Sequence, residues 1–516
     1  MIKRLLLLFS LLGGMGLSAQ TVNFSEHIAP IIYEKCTSCH RADEIGPMPF
    51  TSYNEVFNFA LTIDAVTQSG YMPPWPPDAE YSDLVGARIL TAQEKQLIHD
   101  WVVNGAPQGD PSLEPNVPVF PSGSVLGIPD LVLPMAESYT IAGNNQDDYR
   151  VFVLPTGLTQ NKEIAALEFR AGNSKIVHHA LMASESSGIG QILDNQDPGY
   201  GYTSFGGFSV PGNQIDEFHG GWAPGLIPDF FPDGTGQILK ANSNLLVQIH
   251  YAPYPTAEKD SSYVNVFFRQ QPITREVENF EYAYVQLIIP PGQVKTVTRS
   301  FTVQTDKSLI GFLPHSHLIG SSWELFFRNP QGDTVPVISI PQWDFNWQGM
   351  YKPTKMIKIP AGSVFFAKCI YDNTAANPSN PNIPPLTMTW GEGTEDEMFY
   401  FILQLLDYQS GDENISLESS LGSEEHSLHQ PSFNLFPNPV VDELNLQFYL
   451  SSPQEVRWNC IDLMGKTVQE ASLEGKLQRG LHTLKIDTKE LAVGSYVLSL
   501  EIGEQRLVKR FNKKSL

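Results

Sequence analysis

The chain changes its punctuation once, near residue 110, and that change decides what it can fold into. Before it the signals are helical. Ser25 opens an apolar run toward Cys36, Ser52 with Glu55 and Thr91 with Glu94 form capping-box patterns, and Leu97, Ile98, Trp101 and Val102 recur at helical spacing up to a stop at Asn104-Gly105. From about residue 131 to 408, short runs such as Leu245-Leu246-Val247-Gln248-Ile249-His250-Tyr251 alternate with Pro, Gly and Asn turns, an all-β pattern. A stretch that long exceeds one sandwich, so two packed β-sandwiches are expected, divided between about 271 and 278.

The expected layout is multidomain. A small all-α domain spans 21–109, followed by a Pro- and Gly-rich linker to residue 130. Two all-β sandwiches cover 131–275 and 276–408. A Ser- and Glu-rich flexible tether covers 409–432, and a small C-terminal β-sandwich covers 433–516. Residues 1–19 carry Lys3 and Arg4, an apolar run and a small-residue end at Leu17-Ser18-Ala19, the layout of a cleavable signal peptide. No other apolar stretch has the length of a membrane span, so no transmembrane segment is expected in the mature chain. The 33 Lys and Arg residues against 56 Asp and Glu leave a formal charge of -23, which excludes nucleic acid as a partner class. Two of the four cysteines share one pentapeptide, so no disulfide framework is expected; Cys369 and Cys460 read as buried thiols.

That pentapeptide is Cys36-Thr37-Ser38-Cys39-His40. Two thiols separated by two residues can add to the two vinyl groups of a haem, and the following imidazole is then held at the iron, so this is the signature of one covalent c-type haem (heme c). Zinc would require further Cys or His ligands nearby, and no second pair is present. For the opposite axial position, Met72 in Tyr71-Met72-Pro73-Pro74-Trp75 lies on a rigid loop and is preferred; Met48 reads as core packing. The segment resembles a family of small bacterial c-type cytochrome domains over about 24–110, carried by Cys36 to Arg41, Gly46 to Val56, Met72 to Trp75, and Leu90 through Trp101 to Pro107. The resemblance implies His40 and Met72 as axial ligands.

Six of the twelve histidines fall between residues 178 and 317: His178, His179, His219, His250, His315 and His317. Side chains two apart on a strand share a face, so His315 and His317 can reach one ion, whereas the adjacent His178 and His179 need a strand end or a bulge to do so. Imidazole suits several transition metals, and a thioether in the set points to copper; Met398 is the candidate. His219 is left unassigned.

These pieces resemble the copper type II, ascorbate-dependent monooxygenases, the family of peptidylglycine alpha-hydroxylating monooxygenase and dopamine beta-monooxygenase. The match spans about 140–408 and is carried by Val177-His178-His179-Ala180-Leu181-Met182, Gly221-Trp222-Ala223-Pro224-Gly225, Val247-Gln248-Ile249-His250-Tyr251, His315-Ser316-His317-Leu318-Ile319-Gly320 and Asp396-Glu397-Met398. It implies two jelly-roll-like sandwiches with one copper each, facing across a solvent-filled cleft. His178, His179 and His250 would hold an electron-transfer copper. His315, His317 and Met398 would hold the catalytic, oxygen-binding one.

The implied reaction is hydroxylation of a small-molecule or peptide-like substrate by dioxygen, with ascorbate or another external electron donor as reductant. A fused haem would supplement or replace that donor. The peptide-amidating relatives place an Arg two residues before the HxH pair and a Tyr four after the Met, where this chain has Leu313 and Ile402, which argues against a glycine-extended peptide. The alternatives are a non-enzymatic electron-transfer or copper-binding surface protein, and an adhesion module.

The C-terminal segment, with Phe433-Asn434-Leu435-Phe436-Pro437-Asn438-Pro439, Asp462-Leu463-Met464-Gly465-Lys466 and Gly494-Ser495-Tyr496, resembles the type-A sorting domain of type IX secretion. That resemblance implies the type IX secretion machinery as a partner, and export through the periplasm of a Gram-negative bacterium to the outer surface or the medium.

Overall fold

The computed structural model describes residues 22–516 except 43, 45, 119–122, 205–206, 212–213, 227, 392, 419–432, 451–453, 463–465, 473–474, 478–479, 504 and 516. The expected signal peptide, 1–19, lies outside the described residues. The chain divides into two units: residues up to Pro74 together with Arg88–Pro118, and Trp75–Ala87 together with Val119–Leu516.

The first unit is helical. A π-helical turn, Phe24–Ile28, is capped by Asn23 rather than Ser25, because the Asn23 side chain accepts the Glu26 N–H; it runs directly into the helix Ala29–Lys35. Helices Tyr53–Asn58, Ala60–Gln68 and Ala92–Val103 follow. Thr91 and Glu94 bond each other's backbone in a full capping box, which satisfies two of the N–H groups a helix start leaves free. Phe24, Ile28, Ile32, Val56, Ile98 and Trp101 form the core, and the Trp101 indole donates to the Pro107 carbonyl at 3.0 Å.

The first sandwich of the second unit has two five-stranded sheets. One orders Tyr202–Thr203, Asp148–Pro155, Asn244–Tyr251, Val177–Glu185 and Glu217–Trp222; the other orders Leu131–Pro134, Tyr263–Phe268, Lys162–Arg170, Thr235–Leu239 and Arg275–Glu276. Their inner faces meet through Phe152, Val247, Ile249, Ile164, Val264 and Val266. The second sandwich pairs Glu278–Ala283, Tyr400–Asp407, Lys307–His315 and Ile357–Ile359 in one sheet. Gln293–Thr302, Val364–Asn373, Gly320–Arg328 and Thr334–Ile340 make the other. Strict alternation along Val364–Asn373 buries Phe365, Ala367, Cys369 and Tyr371 on one face. Each large apolar side chain so buried contributes about 1.5–3 kcal/mol. The C-terminal domain is a sandwich of three and four strands around Leu446, Phe448, Leu498 and Leu500. Cys369 and Cys460 are free and buried.

Two expected boundaries are corrected. The helical domain was expected to run unbroken over 21–109, but residues 75–87 belong to the second unit. Leu84 is buried in the second sandwich's core, Trp75 packs edge-on against Tyr351, and Ser82 donates to the Val337 carbonyl. The expected tether at 409–432 is also anchored over its first part. Asp412 is buried against Arg275, and the Leu417 N–H bonds the Thr354 carbonyl. Residues 419–432 lie outside the described residues. The expected linker is fixed at its far end, where the Val125 N–H bonds the buried Glu168 carboxylate.

Candidate metal centres

His178, His179 and His250 come from two adjacent antiparallel strands, with His179 opposite His250. The register shifts by one residue between Val177 and His179, so the strand carries a bulge at His178. A bulge re-aims one side chain, and here ligand nitrogens of all three imidazoles lie within 4.8 Å of one another. His179 Nδ1 is 3.2 Å from His178 Nδ1 and 3.3 Å from His250 Nδ1.

Protonation at this cluster follows from its neighbours. His250 Nε2 lies 2.6 Å from Asp147 Oδ1. A carboxylate only accepts, so Nε2 carries the proton and Nδ1 presents its lone pair to the cluster. The same bond holds the Asp147 carboxyl below its usual range. Burial, then the His250 charge, lowers His178 to about 4, and burial takes His179 well below the ordinary value. Imidazole nitrogens this close suit a cation, and a His backed by a carboxylate is the usual support for a metal ligand. Tyr149 stacks on His250 at 4.1 Å, and its hydroxyl is 3.0 Å from Thr394 Oγ1.

His315 is the last residue of its strand and His317 lies just beyond it, so the pair does not share a strand face as expected. The rings still stand 5.1 Å apart, nearly perpendicular. His317 Nδ1 is 3.2 Å from the Asp396 carbonyl, and His315 Nδ1 bonds Gln348 Oε1. The Gln348 amide nitrogen donates to the Phe345 carbonyl at 2.7 Å, which fixes which end of the amide faces His315. In the neutral rings both Nδ1 atoms therefore carry the proton. Burial lowers His315 to about 3 and His317 to about 4.

Met398 is tied to this pair through Glu397. The fully buried Glu397 carboxylate accepts the backbone N–H of His317 at 2.5 Å, of Met398 at 2.8 Å and of Ile319 at 3.2 Å. The Met398 carbonyl in turn accepts the Tyr371 hydroxyl at 2.7 Å. Phe345 touches both clusters, its ring 5.9 Å from His178 and 5.7 Å from His317.

In the helical unit, the N–H groups of Cys39 and His40 both bond the Cys36 carbonyl, at 3.1 and 2.9 Å, so the CxxCH segment closes as one tight turn. His40 Nδ1 is 3.0 Å from the Met48 carbonyl, leaving Nε2 free for iron, and Phe50 stacks on the ring at 4.5 Å. A Cβ on Gly46 would lie 2.8 Å from His40 Nδ1. These residues fit a covalent haem. Met48 packs on the unit's apolar core, and the Met72 N–H bonds the Val66 carbonyl. His219 is buried with both ring nitrogens engaged, by Gln237 Oε1 at 2.9 Å and Ser184 Oγ at 3.0 Å, which makes it structural.

Asp147, Phe345, Gln348 and Glu397 were not singled out from the sequence. Only Glu397 carried a signal, as the residue beside Met398.

Residues 434–514 match the family model described as a secretion system C-terminal sorting domain. No curated protein matches the chain. Among solved structures, a beta-D-glucuronidase from Dictyoglomus thermophilum is similar at 9% identity and a TM-score of 0.16, over 47% of this chain and 44% of that one. A beta-glucuronidase from Faecalibacterium prausnitzii is similar at 10% identity and a TM-score of 0.13, over 42% and 36%. The chain thus spans less than half the length of either structure, and similarity this low carries no argument about activity. Among the described residues no helix is long and apolar enough to cross a membrane. With its C-terminal type IX sorting domain, the chain is a secreted or cell-surface protein.

Proposed function

We propose that the protein is a secreted copper-dependent monooxygenase, with a haem-bearing N-terminal unit as electron donor or relay. The observation that carries this reading is the convergence of the His178, His179 and His250 nitrogens within 4.8 Å, backed by Asp147. In this reading those three residues hold one copper, His315, His317 and Met398 hold the other, and Cys36, Cys39, His40 and Met72 hold the haem. Copper at a two-imidazole, one-thioether site supplies an open position for dioxygen and one-electron chemistry.

The chain's own contribution is geometric and protonic. Asp147 fixes the His250 tautomer, while Gln348 and the Asp396 carbonyl fix those of His315 and His317. Glu397 locks the backbone of His317 to that of Met398. Tyr149 stacks on the His250 ring and Phe345 on that of His178, and Phe345 meets the His317 ring nearly at right angles.

The test is elemental analysis of the purified full chain with oxygen consumption under reductant. Two coppers and one iron per chain, with oxygen uptake lost in His317→Ala and Met398→Ala, is the expected result. Uptake unchanged in both variants removes the oxygenase reading and leaves an electron carrier.

A further inference from the structure

Gln447 points out of the C-terminal sandwich and is nonetheless only 1% exposed. Its sheet orders Phe433–Phe436, Glu443–Leu450 and Gly480–Asp487. Leu444, Leu446 and Phe448 face the core, so the period of two puts Asn445 and Gln447 on the opposite face. Thr483 stands across from Gln447 in register, and Phe436 across from Asn445, so both share that outer face. A buried glutamine there means that something lies on the sheet.

What lies on it is the first sandwich. The Gly123 carbonyl accepts the Tyr263 hydroxyl and the Asn265 amide, both at 2.9 Å, so Gly123 rests on the sheet that contains Tyr263–Phe268. Val264 and Val266 face that sandwich's core, which places Gly123 on its outer side. Gly123 has a φ of +84°, and a Cβ there would lie 2.5 Å from Gln447 Nε2. The Tyr263 ring stands 6.2 Å from that of Phe436.

This contact is close but poorly bonded. Gln447 Oε1 and Thr483 Oγ1 are buried with no hydrogen-bond partner among the described residues. An acceptor buried without a partner weakens a contact, whereas water satisfies both atoms once the surfaces part.

We propose that the outer face of the sorting domain's three-stranded sheet is a docking surface for the first sandwich of the same chain. Gly123 and Tyr263 occupy it, and it is released when the chain is cut between 419 and 432. While the chain is continuous the contact is intramolecular, at an effective concentration on the order of mM for a short linker. Once cut, it is left to its own weak affinity. The inference is independent of any metal or haem.

The experiment uses the full chain with a protease site placed between 419 and 432. Oxidation of Tyr263 and Phe436 by hydroxyl radicals, read by peptide mass spectrometry, reports whether each ring is covered. At about 1 μM chain, far below the effective concentration of the linked pair, cutting is expected to raise oxidation of both rings at least about twofold and to let the two pieces separate on size exclusion. In the uncut chain, Gln447→Arg sets a long charged side chain against Gly123 and should give the same rise at both rings. Gly123→Leu acts from the other side and should give it at Phe436. The core residue Tyr496, which is buried, should stay as slow as in the native chain throughout, reporting that the sorting domain is folded.

Rings equally reactive before and after cutting overturn the proposal, and so do pieces that still travel together at that concentration. Phe436 unmoved by both substitutions overturns it as well.

Discussion

Asp147 Oδ1 lies 2.6 Å from His250 Nε2, reaching across 103 residues of chain to a ring that is itself almost fully buried. The contact decides which nitrogen His250 offers its two histidine neighbours. Asp147→Ala should therefore weaken copper binding at His178, His179 and His250 by about 10–100-fold, while leaving the His315–His317 site as it was. A competitive chelator titration resolving two stoichiometric phases measures this. Equal weakening of both phases, or of neither, contradicts the assignment.

Glu397 is the corresponding support at the other cluster, acting on backbone rather than on rings. Replacing it with Ala leaves the N–H groups of His317, Met398 and Ile319 without their shared acceptor. Each buried group stripped of its partner costs about 1–3 kcal/mol, so Glu397→Ala should lower unfolding stability by several kcal/mol. Glu397→Gln, which keeps one carbonyl oxygen, should lose less. Denaturant midpoints of the metal-free chain give the comparison.

What could be read ahead of the structure follows local chemistry. The Thr91–Glu94 cap lies within one turn of helix, and its residues announce it. Whether His178 and His179 could act together depended on a distortion that alternation alone demanded, and the bulge lies there. The residues that were missed act across the chain. Asp147 meets His250 only because it immediately precedes Asp148–Pro155, the strand that pairs with His250's strand, and Gln348 meets His315 from the segment between two strands of different sheets. Residues 75–87 carry no periodicity, so nothing local marked Leu84 as part of another domain's core.

The seam between the sandwiches contains a group that titrates near neutrality. Burial, then the charges of Glu276, Glu281 and Glu278, raises Glu217 to about 7, against a donated bond from Asn279. A carboxyl whose folded value is raised binds its proton more tightly in the native state. Its stabilising contribution is complete below the unfolded value, near 4.5, and is lost as pH rises through about 7. Glu217→Gln should therefore match the native chain in melting temperature near pH 4 and exceed it above about pH 7. Melting curves across that range decide it, and a difference independent of pH refutes the assignment.

Arg275 and Asp412 form a two-pronged ion pair at 2.6 and 3.1 Å, which Ser308 completes with a further bond to Asp412 at 2.7 Å. Arg275 lies on the strand that adds to the first sandwich, and Asp412 follows the last strand of the second, so the pair clamps their boundary. Removing one partner strands a buried charge, and Arg275→Ala should cost about 3–5 kcal/mol. The double variant Arg275→Ala, Asp412→Ala should recover part of that loss, because no charge is then left unpaired. A double-mutant cycle from chemical denaturation measures the coupling.

Gly46 offers a test of the proposed haem site that leaves every expected ligand in place. Its missing Cβ makes room for the turn carrying His40: an added methyl carbon would sit 2.7 Å from the Cys39 carbonyl oxygen and 2.8 Å from His40 Nδ1. Those contacts are too close to survive, and the opposing atoms are backbone and a ring held by the Met48 carbonyl. Gly46→Ala should therefore displace His40 and break its bond to Met48. In haem-loaded protein the thioether links through Cys36 and Cys39 should persist while the axial histidine is weakened, visible as a shift of the haem absorbance bands with covalent haem content retained. A Gly46→Ala spectrum indistinguishable from that of the native chain would show that His40 does not reach the iron in the orientation found here.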